Sequence, residues 1–165
     1  MKHWAPLVMA GALAALPGLA FAKPKHAPHD QVKGHGIVVA ASKNHFAFNV
    51  HSGPQGENPK GQAHFHDNTT KDGTPARRFQ GKATCVRVSG DRATFVVDFH
   101  KLKNRSGDGV VITVKDNGNP PGPGSPDRIG VQDFNGDPPP CPDPTASPAN
   151  GDVTRGDVDV RDAAP

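Results

Sequence analysis

Glycine and proline interrupt this chain at short intervals, which excludes long helices. The sequence contains 19 glycines and 18 prolines in 165 residues. Both residue types weaken or end a helix, and no segment keeps an apolar period of about 3.6 residues over three turns. Short runs of β-branched and aromatic residues lie between them, and such runs favour strands. The sequence therefore predicts an all-β protein.

Seven of these runs are predicted to be strands. In one of them Phe46, Phe48 and Val50 alternate with polar residues, as in a strand with one face in the core. The connections are too short for crossover helices, so the strands are expected to pair antiparallel. We expect a single antiparallel sandwich or small barrel of about seven to eight strands. The predicted strands are residues 36–41, 45–51, 62–67, 79–89, 93–102, 110–115 and 128–134.

The N-terminal stretch, residues 1–22, is predicted to be a secretory signal peptide. Lys2 precedes an apolar run over residues 4–19, and residues 20–22 read Ala-Phe-Ala, an A-x-A cleavage site. The run is shorter than the roughly 20 residues that a membrane span needs. We therefore expect cleavage after Ala22, no transmembrane anchor in the mature chain, and a secreted or periplasmic location.

The mature chain has the length of one domain. Residues 23–33 are expected to be a disordered, basic and His-rich leader, because they contain too few apolar side chains to offset ordering. Residues 34–142 form the predicted β-domain. Residues 143–165 are expected to provide a proline-rich strap and a short C-terminal edge strand, since proline cannot donate to a sheet ladder.

Charge is distributed unevenly along the chain. Residues 23–105 carry 14 basic and 6 acidic side chains, whereas residues 106–165 carry 4 and 10. We expect the acidic C-terminal part to lie across the basic N-terminal part. Nucleic-acid binding would need a basic stripe with interleaved aromatic residues, and the aromatic residues here occupy core positions. The predicted partner is an unidentified cell-surface or extracellular ligand, not nucleic acid.

Cys85 and Cys141 are the two cysteines of the chain. Disulfides persist outside the cytoplasm, so we predict that the two residues pair and stabilise the fold by roughly 4 kcal/mol. Two buried thiols are the alternative. A bridged cysteine is not available as a nucleophile.

Five motifs resemble a β-rich domain of secreted bacterial proteins that often follows a choice-of-anchor-P segment. They are FAFNV at residues 46–50, TCVRVSGDRA at 84–93, VKDNG at 114–118, PGPGSPDRI at 121–129 and GDVDVRDA at 156–163. The resemblance implies export, a β-fold and a cysteine pair over most of the chain after the leader. It implies no catalytic residue.

Histidines are the candidate metal ligands. His64 and His66 share one face of a predicted strand, at a spacing that suits two ligands of Zn²⁺ or Cu²⁺. A neighbouring strand would supply His45 or His51 as a further ligand. The alternative is that all four are solvated residues on an outer face.

A second cluster consists of Asp116, Asn117 and Asp127 around a Pro/Gly loop. Oxygen ligands of this kind suit calcium, although the spacing is not that of an EF-hand. The alternative is turn chemistry, in which Asp and Asn side chains bind nearby backbone groups.

Catalytic motifs are missing from the sequence. It contains no G-x-S-x-G, H-E-x-x-H or P-loop motif. Asp98 and His100 share one predicted strand face and would suit an acid-base pair. The sequence favours a secreted or periplasmic, non-catalytic domain with a binding or structural role at the cell envelope. An extracellular divalent-metal-binding protein is the alternative, and a hydrolase is the third interpretation.

Overall fold

The computed structural model describes residues 29–39, 43–67, 77–103, 107–118 and 125–163. Over these ranges the chain is all-β, with eight strands. Each strand pairs antiparallel with the next, and β8 pairs with β1, so the sheet closes into a barrel. The prediction of a small all-β barrel is confirmed. The strands are β1 Asp30–Val39, β2 Lys43–Ser52, β3 Lys60–Asp67, β4 Arg77–Ser89, β5 Arg92–Lys103, β6 Gly109–Lys115, β7 Arg128–Phe134 and β8 Gly151–Arg161.

Phenylalanine rings fill the interior of the barrel. Alternation along β2 turns Phe46 and Phe48 inward, where both are buried. The ring centroid of Phe48 lies 5.1 Å from that of Phe95, and those of Phe65 and Phe79 are 4.8 Å apart. Aromatic pairs at these separations stabilise a core beyond the area that they bury. An eight-stranded barrel is narrow enough for its own side chains to fill it, so the polar residues face outward.

β1 begins at Asp30, inside the leader predicted for residues 23–33. Gly34 occupies an inward position of β1, opposite Phe48 on β2. A Cβ at Gly34 would come within 2.6 Å of Phe48 Cζ, so the ring occupies the space of a side chain. The leader boundary was therefore predicted too late in the chain. The signal peptide lies outside the described residues.

β8 is a full wall of the barrel and not the short edge strand that was predicted. It pairs with β1 from Arg161 opposite Gln31 to Asp152 opposite Val39. Val158 is fully buried and contributes to the core. On its other side β8 meets β7 over only the first two residues of each strand. Much of that side of β8 therefore needs partners other than a strand.

Residues 135–150 form an extended strap on the outside of the barrel. Cys141 in the strap is bonded to Cys85 on β4, and their Cα atoms are 5.6 Å apart. The predicted disulfide is confirmed. Arg92 also donates from Nη1 to the carbonyl oxygen of Pro144, at 3.3 Å. The strap is thus attached by one covalent bond and by at least one hydrogen bond.

The strap covers the outer faces of β5 and β6. Thr94 and Val96 point outward from β5, yet both have no exposed surface, and Thr113 on β6 is only 3 % exposed. Sγ of Cys141 lies 3.7 Å from the carbonyl oxygen of Thr94. Part of the outer surface of β5 and β6 is therefore closed by the chain itself.

Candidate functional site

Three histidines meet on the outer face of β2 and β3. His45 lies directly opposite His66 in the ladder, and their ring centroids are 6.3 Å apart. His64 precedes His66 by two positions and points to the same side, because side chains alternate along a strand. The structure therefore brings His45, His64 and His66 to one exposed surface.

His51 lies at the other end of β2. It is separated from His45 by about 20 Å, at roughly 3.3 Å per residue. It lies opposite Lys60, and its ring centroid is 6.0 Å from that of His29. The four histidines predicted as metal ligands therefore do not form one cluster. In the described ranges, no group of three or more His, Cys, Asp or Glu residues is arranged to hold a metal ion.

The histidines belong to a wider polar surface, the basic face, which consists of outward side chains on β1–β4. β2 and β4 contain no acidic residue. Acidic residues occur at the two margins, where Asp98 of β5 lies opposite Lys82 and Asp159 of β8 lies opposite Lys33. The members of the basic face are Lys33, His35, Lys43, His45, Asn49, Lys60, Gln62, His64, His66, Arg78, Gln80 and Lys82.

The acidic C-terminal part does not lie across this face as was expected. β8 joins only its margin, by pairing with β1. The strap runs over β5 and β6 and is held at Cys85. His45 and His64, near the centre of the basic face, are exposed. The basic charge of the N-terminal strands therefore stays open to a ligand.

The predicted calcium or turn residues bind the backbone of β8. Asp127 is fully buried, and its two oxygens accept from the N–H groups of Asn117 and Val158, each at 2.9 Å. Asp116 accepts from the N–H of Val160 through Oδ2, at 3.0 Å. These contacts lie where β8 has no strand beside it on that side. The two carboxylates thus take the place of a neighbouring strand, and we call this contact the carboxylate seam.

The remaining contacts of this set are those of a turn. Asp116 Oδ1 accepts from the N–H of Gly118 at 2.7 Å, and Asn117 Nδ2 donates to the carbonyl oxygen of Pro126 at 2.6 Å. Calcium binds six to eight oxygen ligands at once. Both oxygens of Asp116 and of Asp127 already accept N–H groups, so the described arrangement is a turn and strand cap. Residues 119–124 of the loop lie outside the described ranges.

Asp157 on β8 completes the carboxylate seam. Burial raises its pKa above the ordinary value of 3.8, and the charges of Asp127 and Asp116 raise it further. A hydrogen bond between the side chains of Asp157 and Asp127 shifts the pKa of Asp157 in the same direction. Burial and the neighbouring acidic side chains therefore oppose ionisation of Asp157.

Asp98 and His100, the predicted acid-base pair, are both exposed on β5. The pairing with β4 shifts between Phe99, opposite Gly81, and Lys101, opposite Gln80. His100 is therefore the extra residue of a β-bulge, and bulges redirect side chains. The regular alternation that suggested this pair is interrupted between its members.

The part of the basic face that lies on β1 was not predicted from the sequence. Lys33 and His35 are outward residues of this strand, but Gly34 fills the inward position between them. A glycine carries no side chain, so the alternation of apolar and polar residues that marks a strand cannot be recognised at this position. A search for polar residues alternating with glycine would have found them.

No known protein family, curated protein or solved structure matches this chain. Within the described ranges, no helix has the length and apolar character to cross a bilayer. A function for the barrel must therefore be inferred from its own side chains.

Proposed function

We propose that this chain is a secreted or periplasmic, non-catalytic binding domain of the cell envelope, and that the basic face is its binding surface. One observation carries the proposal. The strap closes the outer faces of β5 and β6, whereas the outer face of β1–β4 is left exposed with its histidines and lysines. Exposed charged residues concentrated on one rigid wall are typical of a recognition surface.

Export is supported by the A-x-A motif at residues 20–22 and by the disulfide. Structural disulfides are rare in reducing compartments. A location outside the cytoplasm also limits the partners to envelope components and extracellular material. We infer cleavage after Ala22 and a mature chain without a transmembrane anchor.

A non-catalytic role is supported by where the perturbed carboxyl groups lie. Catalytic sites concentrate groups with displaced pKa values in a cleft. Here the pKa of Asp143 is lowered by hydrogen bonds from Thr145, and burial raises the pKa values of Asp30 and Asp157. Asp30 accepts from the N–H of Ala163 at 2.9 Å. These carboxyl groups bind parts of the chain itself and serve the fold.

The likeness to the choice-of-anchor-P-associated domain is part of the proposal. Its motifs fall on the Phe46 core strand, the β4–β5 hairpin, the carboxylate seam and β8. Gly90 in that hairpin has a φ of 58°, which suits glycine. We infer that the shared residues specify a barrel and that the basic face belongs to this chain's own function.

The test is cosedimentation of the purified mature chain, residues 23–165, with insoluble envelope fractions from a Gram-negative and a Gram-positive bacterium. The wild-type chain should sediment with at least one fraction. A face variant should lose this binding, and a control variant with the same charge change should keep it. The face variant carries Lys43→Gln, Arg78→Gln and Lys82→Gln, and the control variant carries Lys115→Gln, Arg128→Gln and Arg155→Gln.

Equal binding by both variants would contradict the proposal, and so would the absence of binding to either fraction. Circular dichroism verifies that each variant is folded. Fluorescence is unsuitable, because Trp4 lies in the signal peptide and the chain contains no tyrosine.

Divalent-metal binding is the second candidate function, and the cross-strand pair of His45 and His66 favours it. Their ring centroids are 6.3 Å apart; the side chain of His45 is exposed and that of His66 is half-buried. Imidazole nitrogens bind Zn²⁺ at about 2.0–2.1 Å, so rotamer changes would have to bring both rings onto one ion. His64 on the same face is the nearest candidate for a third ligand.

Calorimetry of the untagged mature chain with Zn²⁺ and Cu²⁺ tests this function. His45→Ala and His66→Ala should each abolish a one-to-one binding event, while His51→Ala should leave it intact. Retention of the full binding heat in His45→Ala and His66→Ala would exclude the pair as ligands.

A further inference from the structure

The arrangement of the basic face indicates the chemical class of its ligand. Ladder register aligns its side chains in rows across four strands. One row consists of Lys33, Asn49, Gln62 and Lys82. A second row contains His45, His66 and Arg78. Strands lie about 4.8 Å apart, so a row over four strands spans roughly 15 Å. A linear polymer of a few residues matches this length better than a small molecule does.

Between these two rows lies another, which consists of His35, Ala47, His64 and Gln80. Ala47 is exposed between His35 on β1 and His64 on β3. Because the methyl group of Ala47 is shorter than the neighbouring side chains, the surface is depressed at this position. Gln80 Nε2 donates to Gln62 Oε1 at 3.3 Å, which orients both amides on the surface. Amides bind hydroxyl groups, whereas Lys, Arg and protonated His bind anions.

The aromatic residues of these strands all serve the core. Phe46, Phe48, Phe65 and Phe79 are buried inside the barrel. Proteins that bind single-stranded nucleic acid need exposed aromatic rings on which bases stack. Insertion into a lipid surface needs an exposed apolar cluster. The outward apolar residues of these strands are Ala47 and, at the end of β1, the half-buried Ile37 and the exposed Val39. The centre of the face therefore combines positive charge and hydroxyl-binding groups, without an exposed Phe, Tyr or Trp side chain.

We infer that the basic face binds an acidic polysaccharide, whose carboxylates contact Lys33, Arg78 and Lys82 and whose hydroxyls contact Asn49, Gln62 and Gln80. This inference rests on the proposed function and names its ligand. Acidic side chains of the neighbouring strands lie at the margins of the face, at Asp98 on one side and at Asp157 and Asp159 on the other. They repel the polymer there and keep it over the four strands.

The experiment uses polygalacturonate as the probe, with the mature wild-type chain, the face variant and the control variant in biolayer interferometry. We expect polygalacturonate to bind the wild type and the control variant equally. The face variant should bind at least tenfold more weakly, because three cations are lost. Raising the salt concentration should weaken binding, since salt screens exposed charges. Dextran, which has hydroxyls but no charge, should not bind.

A second variant tests the amides without changing the charge. Asn49→Ala with Gln62→Ala should weaken binding to polygalacturonate several-fold while leaving its dependence on salt unchanged. An unchanged affinity would overturn the role of the hydroxyl contacts. Equal or tighter binding to double-stranded DNA or to anionic lipid vesicles would overturn the choice of a polysaccharide, because charge alone would then explain the interaction.

Competition separates this inference from the proposed function. Polygalacturonate should displace the wild-type chain from the envelope fraction with which it sediments. Sedimentation that depends on the basic face but resists polygalacturonate would overturn the inference and leave the proposed function standing. Absence of sedimentation before any competitor is added would overturn the proposed function itself.

Discussion

The two halves of the barrel use their charged residues for different purposes. In the half formed by β6–β8, Asp116 and Asp127 accept backbone N–H groups and hold β8 in place. In the half formed by β1–β4, lysines and histidines point outward, and most of them are exposed. The acidic side chains of the seam stabilise the fold, whereas the basic side chains lie on its surface. A chain with a small net charge can therefore still carry one strongly basic surface.

The largest expected effect concerns the disulfide on the closed half. Cys85→Ser with Cys141→Ser should lower the free energy of unfolding by up to about 4 kcal/mol, because the closed loop restricts the unfolded chain. Urea unfolding followed by circular dichroism measures the change. Cosedimentation through the basic face should persist while the variant is folded. Unchanged stability would show that the strap contributes nothing to the fold.

The carboxylate seam should give the next largest effect. Asp127→Ala leaves the N–H groups of Asn117 and Val158 without their acceptors, and each buried orphan costs about 1–3 kcal/mol. We expect a loss of about 3 kcal/mol in urea unfolding. Asp137→Ala, at an exposed residue of the strap, serves as the control and should change stability by less than about 0.5 kcal/mol. Similar losses of stability in both variants would show that the carboxylate seam has no special role in stabilising the fold.

The pH dependence of the seam follows from Asp157. Its pKa is raised in the fold, so its contribution to stability is fully present below the ordinary value of 3.8 and is lost as the pH rises through the higher folded value. Asn mimics the protonated acid. The stability of Asp157→Asn relative to wild type should therefore increase between pH 4 and pH 7, as measured by melting temperature. A constant difference would mean that Asp157 titrates normally.

The basic face should give the smallest effect on stability. Lys82→Gln changes an exposed side chain and should alter the free energy of unfolding by less than about 0.5 kcal/mol. The same substitution should weaken ligand binding. A large loss of stability would contradict the difference between the two halves, because it would mean that the exposed basic side chains also stabilise the fold.

Local patterns predicted most of the fold. The alternation of Phe46, Phe48 and Val50 identifies β2 and its inward side, and β3–β7 likewise coincide with predicted strands apart from their terminal residues. β1 was recognised too late in the chain because Gly34 hides the alternation. β8 was taken for an edge strand because its valines are few and its aspartates many. The aspartates in fact lie beside the seam, which no local pattern reveals.

The candidate site was only partly predictable. Alternation correctly places His64 and His66 on one side of β3. Whether His45 or His51 joins them depends on the register of β2 against β3, and that register is a non-local property. The open state of the basic face depends on the path of the strap, which is fixed by the pairing of Cys85 with a residue 56 positions away. Neither can be deduced from one strand alone.

The pairing of β1 with β8 has a consequence for the order of folding. All other strand pairs join sequence neighbours, and each can form as a hairpin at a low entropy of loop closure. The last pair must wait until residues 151–161 are present. Until then two open edges and a row of phenylalanines face the solvent, and such edges promote aggregation. A chain released before its final strand would therefore be the form most in need of a chaperone.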